Sequence, residues 1–414
     1  MDKTKSYEIS KHEVLRAFKR VKANKGAAGI DDESLEEFEA NLKNNLYKIW
    51  NRMSSGSYFP PPVKAVEIPK KSGGKRILGV PAVADRVAQM VAKLYFEPTV
   101  EPHFHPDSYG YRPGKSALDA IEVTRKRCWK YNWVLEFDIK GLFDNIDHEL
   151  LMRAVRKHTD NPWVILYVER WLKAPFQLPD GTIQERTKGT PQGGVISPVL
   201  ANLFLHYAFD AWMDREHPDK PFARYADDGV AHCRSLKAAE KLQESLQARL
   251  AECGLEIHPD KTCIIYCKDD DRQEEYPEIK FDFLGYTFRP RRSKSKHGKY
   301  FINFTPAVSN KAKKAMRQTI HGWRMHLKPD KTLEDLSRMF NPIIRGWVNY
   351  YSRFYKSEFH EVLRHMDRAL VHWARRKYKK LAHQRQATHW LGKIAKRDPK
   401  LFVHWQMGIR PAAG

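Results

Sequence analysis

The chain has 414 residues, 42% of them hydrophobic and 12% aromatic, which excludes a disordered protein and allows two or three domains. Its net charge of +23 indicates a polyanionic partner. Lys and Arg equal Asp and Glu, 43 to 43, in residues 1–288 but outnumber them 30 to 7 in residues 289–414. The aromatic residues among the basic ones favour nucleic-acid binding over membrane-surface binding.

The five cysteines contain no Cys-x-x-Cys pair, which argues against a disulfide framework and against a zinc finger. Cys263 and Cys267 lie near His258 in the sequence, but we interpret both as buried thiols in a strand. The N-terminus lacks the apolar core of a signal peptide, and the longest apolar segment, residues 195–213, is interrupted by polar residues. We expect a cytoplasmic protein with no membrane partner.

Helical and strand-like segments alternate along the chain, and no internal repeat is visible. Apolar periodicity and turn residues predict the following elements in chain order: helices within 10–56, a hairpin over 58–83, a helix over 85–96, a strand over 133–139, helices over 148–158 and 162–173, a helix after Pro198, a hairpin around 224–233, a helix over 236–253, and strands over 254–267 and 281–288. The apolar runs are short enough for an antiparallel sheet. The pattern therefore predicts an α+β fold.

Two adjacent carboxylates, Asp227 and Asp228, occupy the tip of the hairpin RYADDGVAHC, where Gly229 permits a turn. Taken alone, Asp-Asp-Gly is typical of a surface turn. Asp138, however, ends another strand, and three converging carboxylates repel one another unless they bind divalent cations. Two Mg²⁺ ions about 4 Å apart, for which Mn²⁺ can substitute, activate a 3′-hydroxyl and stabilise a leaving pyrophosphate. The carboxylates therefore predict nucleotidyl transfer.

Other segments offer contacts for a nucleoside triphosphate. The cations at the tip of the first hairpin are Lys70, Lys71, Lys75 and Arg76. In the segment PQGG, Gly193 and Gly194 let the backbone approach a nucleotide closely, with Gln192 as a polar contact. Phe143 is placed to pack under a sugar, where its ring would exclude a 2′-hydroxyl. These segments occur in the order basic hairpin, Asp138 strand, PQGG loop and Asp pair, followed by Lys261.

In this order the chain resembles the group II intron-encoded reverse transcriptases and maturases over nearly its whole length. The segments that carry the resemblance are GAAGIDD (26–32), IPKKSGGKRILGVP (68–81), SYGYRPGKSALDA (108–120), FDIKGLFDNIDH (137–148), GTPQGGVISPVLANLFL (189–205), RYADDGV (224–230), LEIHPDKT (255–262), FLGYTF (283–288) and IRGWVNYY (344–351).

The resemblance implies a right-hand polymerase. It comprises an N-terminal helical extension over 1–57, fingers and palm with an antiparallel palm sheet over 58–288, and a basic helical thumb that serves as the maturase domain over 289–414. It implies RNA-directed DNA polymerase activity on an RNA template and a DNA primer with deoxynucleoside triphosphates, and binding of intron RNA to assist splicing. It leaves the oligomeric state open.

The resemblance also assigns site residues. Asp138, Asp227 and Asp228 would hold the metal ions. The nucleotide-binding residues would be Lys70, Arg76, Arg112, Phe143, Gln192 and Lys261. Of these, Arg112 would contact the nucleotide or the template, and Lys261 would lie near the leaving phosphates, where a general-acid role is a hypothesis. Many family members carry a C-terminal HNH nuclease with paired cysteines. No such pair occurs here, and we expect no second-strand cleavage.

Several alternatives remain beside this interpretation. GYRPGKS (110–116) has one residue too few between its glycines for a P-loop. Asp144 and Asp147 could join the metal site, but we expect Asp147 to cap the next helix. The aromatic stripe around Trp347 and Tyr351 follows helical spacing and is expected to be core rather than a base-stacking platform.

Two other functions remain open at this stage. The chain could be an RNA-binding splicing cofactor whose polymerase activity is secondary, or a domesticated reverse transcriptase in host defence or repair. The intact carboxylates favour a working polymerase over the cofactor, but they do not distinguish a mobile intron's enzyme from a domesticated relative.

Overall fold

The computed structural model describes residues 6–69 and 74–412. The chain forms two compact units, the first made of Met1–Ala120 and Leu135–Cys263 and the second of Ile121–Val134 and Ile264–Gly414. The expected division into 1–57, 58–288 and 289–414 differs from these units and stays a proposal about functional domains. Lys70 and Lys71, expected at the basic hairpin tip, lie outside the described residues.

Helices are the main regular elements of both units. In chain order they are α1 (Lys11–Asn24), α2 (Leu35–Ala40), α3 (Leu42–Ser54), α4 (Val83–Val100), α5 (Ala117–Cys128), α6 (Leu142–Asn145), α7 (His148–His158), α8 (Pro162–Lys173), α9 (Ser197–Leu205), α10 (Ala211–Glu216), α11 (Leu236–Glu252), α12 (Asn310–Gly322), α13 (Leu333–Tyr351), α14 (Ser357–Lys377), α15 (Gln384–Arg397) and α16 (Val403–Gln406). Local signals set several of their starts. Ser10 and Ser34 form capping boxes, and the Asp147 carboxylate accepts the Leu150 amide at 2.8 Å, which confirms the expected cap of α7.

The strands complete an α+β fold. They are β1 (Val63–Pro69), β2 (Lys75–Val80), β3 (Trp133–Asp138), β4 (Phe176–Gln177), β5 (Ile183–Gln184), β6 (Phe222–Tyr225), β7 (Asp228–Cys233), β8 (Cys263–Tyr266), β9 (Phe281–Phe283), β10 (Tyr286–Lys294) and β11 (Tyr300–Val308). In the first unit one sheet has the order β2-β1-β4-β5, and β6, β7 and β3 are neighbours in another. The pairs β1–β2 and β6–β7 are antiparallel, whereas β1 and β4 run parallel.

Arg224 and Asp210 form a fully buried ion pair in the first unit. Arg224 on β6 donates to both carboxylate oxygens of Asp210 at 2.7 and 2.6 Å, and neither side chain is exposed to solvent. The same guanidinium donates to the Ser108 hydroxyl at 2.8 Å and to the carbonyl of Ala226, in the β6–β7 turn, at 3.1 Å. Asp210 ends a π-helical turn, His206–Asp210, between α9 and α10. The pair therefore fixes the end of this turn against the β6–β7 hairpin.

The second unit has its own core on α12 to α16, and it begins differently from the expected all-helical arm. The chain from residue 286 to 308 forms the antiparallel hairpin β10–β11, because its apolar residues alternate and Gly298 adopts a positive φ of 83° beside the turn. Within the expected arm over 289–414, the helices start only at Asn310. Trp347 and Tyr351 pack against the apolar core with Ile344, in agreement with the predicted core role of this stripe.

Two further sequence predictions need correction. The segment predicted as one strand over 254–267 is a strand only at Cys263–Tyr266, because Pro259 begins a short 3-10 turn that interrupts it. Cys267 is buried as expected, but Cys263 is exposed at the beginning of the strand. Within the described ranges, no helix is both long enough and apolar enough to cross a membrane.

The buried ion pair gives a first prediction. Arg224→Met leaves the Asp210 carboxylate buried without its partner, so the free energy of unfolding should fall by about 3–5 kcal/mol, whereas Arg224→Met/Asp210→Leu should recover much of this loss. Lys22→Met, which breaks an exposed pair with Glu39, is the control and should cost no more than about 1 kcal/mol. Chemical denaturation measures all three. Equal losses in the single and double variants would contradict the role given to the pair.

Candidate active site

The β6–β7 hairpin presents its two carboxylates through a two-residue turn. Tyr225 pairs with Asp228, so only Ala226 and Asp227 lie in the turn. Ala226 has a φ of 57°, a left-handed conformation that costs a non-glycine residue roughly 1–2 kcal/mol. The Arg224 guanidinium holds the Ala226 carbonyl in this conformation. The turn thereby displays Asp227 and Asp228 side by side.

Gly229 has a different role from the expected one. The positive φ belongs to Ala226, and Gly229 lies in β7. A Cβ atom on Gly229 would come within 2.2 Å of the Phe137 ring, so the glycine allows β7 to pack closely against the aromatic residue that precedes Asp138. Gly110 is similar, because its Cβ would meet the Ala226 nitrogen at 2.5 Å. Two glycines therefore set how closely the neighbouring backbones approach the turn.

Asp138 is brought to the same place by backbone hydrogen bonds. The Ile139 amide donates to the Asp227 carbonyl at 3.1 Å, and the His258 amide donates to the Asp138 carbonyl at 2.8 Å. These bonds hold the end of β3 between the turn and the segment that leads to Lys261. The Lys261 ammonium donates to Asp138 Oδ2 at 2.9 Å. The predicted residues Asp138, Asp227, Asp228 and Lys261 therefore meet in one cluster.

The electrostatics of the cluster reflect crowded like charges. Burial raises the pKa of Asp228 to about 7, and the charges of Asp227 and Asp138 together with a hydrogen bond to Asp138 add to the rise. Burial and the Asp138 charge also raise the pKa of Asp227. The hydrogen bond to Asp138 raises the pKa of Lys261, whose side chain is 55% exposed. One exposed cation thus faces three carboxylates.

The donor set matches a hard divalent cation. Carboxylate oxygens are the ligands that Mg²⁺ and Mn²⁺ prefer, and a cation would stabilise the buried charges and relieve the repulsion that adds to the rise of these pKa values. In residues 6–69 and 74–412, no group of three or more His, Cys, Asp or Glu side chains is already arranged around a metal position. Because Lys261 binds Asp138 Oδ2, a metal ion would use Oδ1 or share Oδ2 with the ammonium group.

The PQGG segment lies between β2 and the short helix α6. The Gly79 amide of β2 donates to the Gln192 carbonyl at 2.7 Å, and a Cβ on Gly193, whose φ is 118°, would collide with the Gly79 carbonyl at 2.3 Å. At the other end, the Thr190 amide donates to the Phe143 carbonyl at 2.7 Å. The loop therefore ties Gln192 and Phe143 into one connected backbone arrangement.

Tyr111 is a site residue that the sequence pattern did not single out. Its ring centroid is 6.3 Å from that of Phe143 and 6.4 Å from that of Tyr225. Burial and the charge of Asp227 raise its pKa, and Arg76 on β2 opposes this rise. Tyr111 has a φ of 58°, which is unusual for an aromatic residue. The only signal of Tyr111 in the sequence was its position after a glycine in GYRPG. The strained backbone conformation cannot be read from the sequence.

Arg112 has structural partners instead of a free guanidinium. It pairs with Glu101 at 2.8 Å and donates to the carbonyls of His105 and Ser108 at 2.6 and 2.8 Å, with its side chain only 6% exposed. This arrangement holds the loop before Tyr111. The Arg112 guanidinium is therefore engaged by protein groups in this structure, and its assignment to the nucleotide or the template stays a prediction.

A series of buried hydrogen bonds from α4 supports the PQGG loop. The sequence pattern did not single out the residues that form it. Gln89 on α4 accepts the Val195 and Ile196 amides at 2.8 and 3.3 Å and donates to Asp85 at 3.0 Å. Asp85 in turn accepts hydrogen bonds from the Tyr58 hydroxyl and the Trp171 indole, both at 2.8 Å. Because the carboxylate is fully enclosed, burial raises its pKa. The chain Asp85–Gln89 thus positions the loop through its backbone amides.

Comparison with known proteins finds two matching family descriptions. Residues 68–288 match "Reverse transcriptase (RNA-dependent DNA polymerase)", and residues 313–391 match "Group II intron, maturase-specific domain". The first match spans the carboxylate cluster and the PQGG loop. The second lies in the basic second unit.

The chain is also similar to individual proteins. Protein YkfC of Escherichia coli is 30% identical over 312 residues, which cover 66% of this chain and 79% of that protein. The group II intron-encoded protein LtrA of Lactococcus lactis is 33% identical over 220 residues, covering 51% of this chain but only 36% of LtrA. The structure of telomerase from Candida albicans aligns at 12% identity with a TM-score of 0.45, over 90% of this chain and 67% of that one.

The raised pKa of Asp228 predicts a pH dependence of stability. In the folded chain this pKa is about 7 and its ordinary value is 3.8, so between these values the folded state holds a proton that the unfolded state has lost. The free energy of unfolding must therefore fall as the pH rises through this window. Asp228→Asn removes this contribution.

Thermal unfolding in a chelator-containing buffer measures the effect. We expect the melting temperature of Asp228→Asn to exceed that of the wild type at both pH values. This difference should be several degrees larger at about pH 8 than at about pH 5. Asp219→Asn, at an exposed carboxylate before β6, is the control and should show no such widening. A gap that narrows with rising pH would contradict the electrostatic description of the cluster.

Proposed function

The chain belongs to the group II intron type of reverse transcriptases, which are RNA-dependent DNA polymerases, and we propose that Asp138, Asp227 and Asp228 form its metal-dependent centre for copying RNA into DNA. The observation that carries this proposal is the convergence of these three carboxylates, with raised pKa values on Asp227 and Asp228 and a backbone hydrogen bond from Ile139 to Asp227. Template RNA, a DNA primer and deoxynucleoside triphosphates are the proposed substrates.

The three carboxylates would hold two Mg²⁺ ions, for which Mn²⁺ could substitute. When bound, such ions lower the pKa of the primer 3′-hydroxyl and stabilise charge on the leaving pyrophosphate. Asp138, Asp227 and Asp228 supply oxygen ligands from the end of β3 and from the β6–β7 turn, whose backbones are joined by the Ile139–Asp227 hydrogen bond. This shared anchoring keeps the reacting groups at a fixed spacing.

The cations and the aromatic residues would orient the nucleotide. We assign Arg76 to the triphosphate, together with Lys70 as a sequence-based proposal, and Gln192 to the bound nucleotide. Phe143 would lie under the sugar and exclude a 2′-hydroxyl by size. We assign two roles to Lys261. Its ammonium group neutralises Asp138 in the free protein. On metal binding it would turn to the leaving phosphates, where it can donate a proton.

The second unit supports a role in binding intron RNA and assisting splicing. The match to the maturase-specific domain covers residues 313–391 there, and the chain from residue 289 to 414 has 30 Lys and Arg against 7 Asp and Glu. Such an excess favours contacts with phosphates, and the affinity should fall steeply with salt. Intron RNA is therefore the proposed partner of this unit.

Primer extension on an RNA template with deoxynucleotides and Mg²⁺ tests the catalytic centre. Asp227→Asn keeps the size of the side chain but removes a metal ligand, so the rate should fall by ~10³-fold or more. Asp219→Asn should extend like the wild type. Full extension by Asp227→Asn, or none by the folded wild type on several primers, would overturn the proposal.

The same assay tests the sugar gate. Phe143→Ala removes the ring that would exclude a 2′-hydroxyl, so the variant should incorporate ribonucleotides that the wild type rejects, while it still uses deoxynucleotides. The preference is measured as the ratio of kcat/KM values for the two nucleotides. An unchanged ratio would show that another residue discriminates between the sugars.

The loop support from α4 gives a further prediction. Gln89→Ala leaves the Val195 and Ile196 amides without their acceptor, so the PQGG loop should be less well positioned and KM for the nucleotide should rise about tenfold, with kcat less affected. Gln247→Ala on the exposed face of α11 is the matched control. A fall in kcat with KM unchanged would show that Gln89 does not act through nucleotide binding.

A further inference from the structure

A cavity in the second unit is lined by an unusual concentration of nitrogen-bearing side chains. It has a volume of about 270 Å³ and lies among the end of α12, the following turn and α14. The side chains that matter are His321, Arg324, His326, His365, Arg368 and His372. Among the described residues that line it there is no carboxylate. This volume leaves room for a phosphate group.

The nearby acids are already engaged elsewhere. Glu361 on α14 pairs with Lys313 and Arg317 of α12, and Asp367 accepts hydrogen bonds from His404 and Trp405. Lys328 follows the turn, and Arg375 and Arg376 continue α14 beyond His372. The groups facing the cavity from both helices and from the turn are therefore cationic or become cationic on protonation. The two arginines and the protonated histidines of such a lining attract an anion, and the structure arranges no metal-ligand cluster among the residues it describes.

Arg324 occupies a conformation that its residue type does not favour. Its φ and ψ are both 45°, in the left-handed region where glycine or asparagine is the usual choice. The next residue, Met325, is buried in the apolar core of the second unit, and this burial holds the turn in place. An arginine at a strained position beside a cavity indicates that its side chain, rather than its backbone, is needed there.

The histidines are poised to respond to an anion. Burial lowers the pKa of His365 from 6.5, and the charges of Arg368, Arg317 and His321 lower it further, whereas Glu361 opposes them. Burial, His326, Arg375 and Arg376 lower the pKa of His372 in the same direction. The rings of His326 and His372 are 4.9 Å apart, and an Arg368 nitrogen lies 3.4 Å from His365 Nδ1.

We propose that this cavity binds a phosphate group of single-stranded RNA and takes up protons on His365 and His372 as it does so. The proposal rests on the proposed RNA partner of the second unit and adds to it a defined subsite with a pH dependence. A bound phosphate offsets the cationic surroundings that keep the two imidazoles neutral. Their protonation then supplies further charge-assisted hydrogen bonds to the phosphate oxygens.

The sign of the effect follows from linkage. Because the complex holds more protons than the free protein, the affinity for RNA must rise as the pH falls through the range in which these histidines titrate. A site made only of Arg and Lys would show no such dependence, since those side chains remain charged throughout.

The test is binding of a fluorescein-labelled oligouridylate of about twelve nucleotides to the full chain, measured by anisotropy at about pH 8 and about pH 6 at one ionic strength. We expect the wild type to bind about fivefold more tightly at the lower pH. His365→Gln/His372→Gln should match the wild type at the higher pH and lose most of the gain. The single variant His372→Gln, at an exposed position, should lose part of it and does not threaten folding.

The matched control is His297→Gln/His383→Gln, which removes two exposed histidines of the same unit outside the cavity. This control should keep the pH-dependent gain. An undiminished gain in both cavity variants, or an equal loss in the control, would overturn the proposal. Inorganic phosphate at millimolar concentration and constant ionic strength should compete for the cavity and reduce the pH-dependent gain, and a gain that phosphate leaves unchanged would overturn the assignment of a phosphate site. Primer extension by the same wild-type preparation checks the proposed polymerase separately.

Discussion

The buried ion pair between Arg224 and Asp210 is the interaction on which the geometry of the first unit depends. A pair without solvent exposure stabilises a fold only where further hydrogen bonds satisfy both partners, and here Ser108 and the Ala226 carbonyl complete the set. The bond to Ala226 is the consequential one, because it holds a left-handed alanine in the turn. Through that turn, the buried Arg224–Asp210 pair fixes the positions of Asp227 and Asp228, the two carboxylates proposed to bind metal ions.

In the carboxylate cluster, by contrast, groups of like charge are held together against their mutual repulsion. Backbone hydrogen bonds from β3 hold Asp138 beside Asp227, and Lys261 compensates only part of the charge from an exposed position. The raised pKa of Asp228 records the remaining cost. A site that is electrostatically unfavourable until a cation binds is suited to metal-dependent chemistry. The PQGG loop supports the same arrangement from the side of the nucleotide, because it is tied to β2, to Phe143 and, through Gln89, to a buried carboxylate.

The sequence predicted those features that local chemistry determines. The α+β class, the cap at Asp147, the helical stripe around Trp347 and the position of Asp227 and Asp228 at the end of a hairpin follow from periodicity and residue type. It did not predict features that depend on long-range packing. Gly229 was expected to make the turn, yet it serves close packing on Phe137, while the strain falls on Ala226. Arg112 is bound by Glu101 across a loop, and Gln89 reaches the PQGG loop from a distant helix, and neither contact has a local signature. Cys263 is exposed because the strand begins only there.

Diffraction from crystals of the chain with an RNA template, a DNA primer, a non-reactive deoxynucleotide and Mn²⁺ would test the central claim most directly, since the anomalous signal of manganese locates the ions. The account predicts two peaks about 4 Å apart, in contact with Asp138, Asp227 and Asp228, with the Lys261 ammonium moved from Asp138 towards the triphosphate. Manganese bound elsewhere, with the Lys261–Asp138 pair intact, in crystals of a preparation that extends primers with reactive deoxynucleotides in solution, would contradict it.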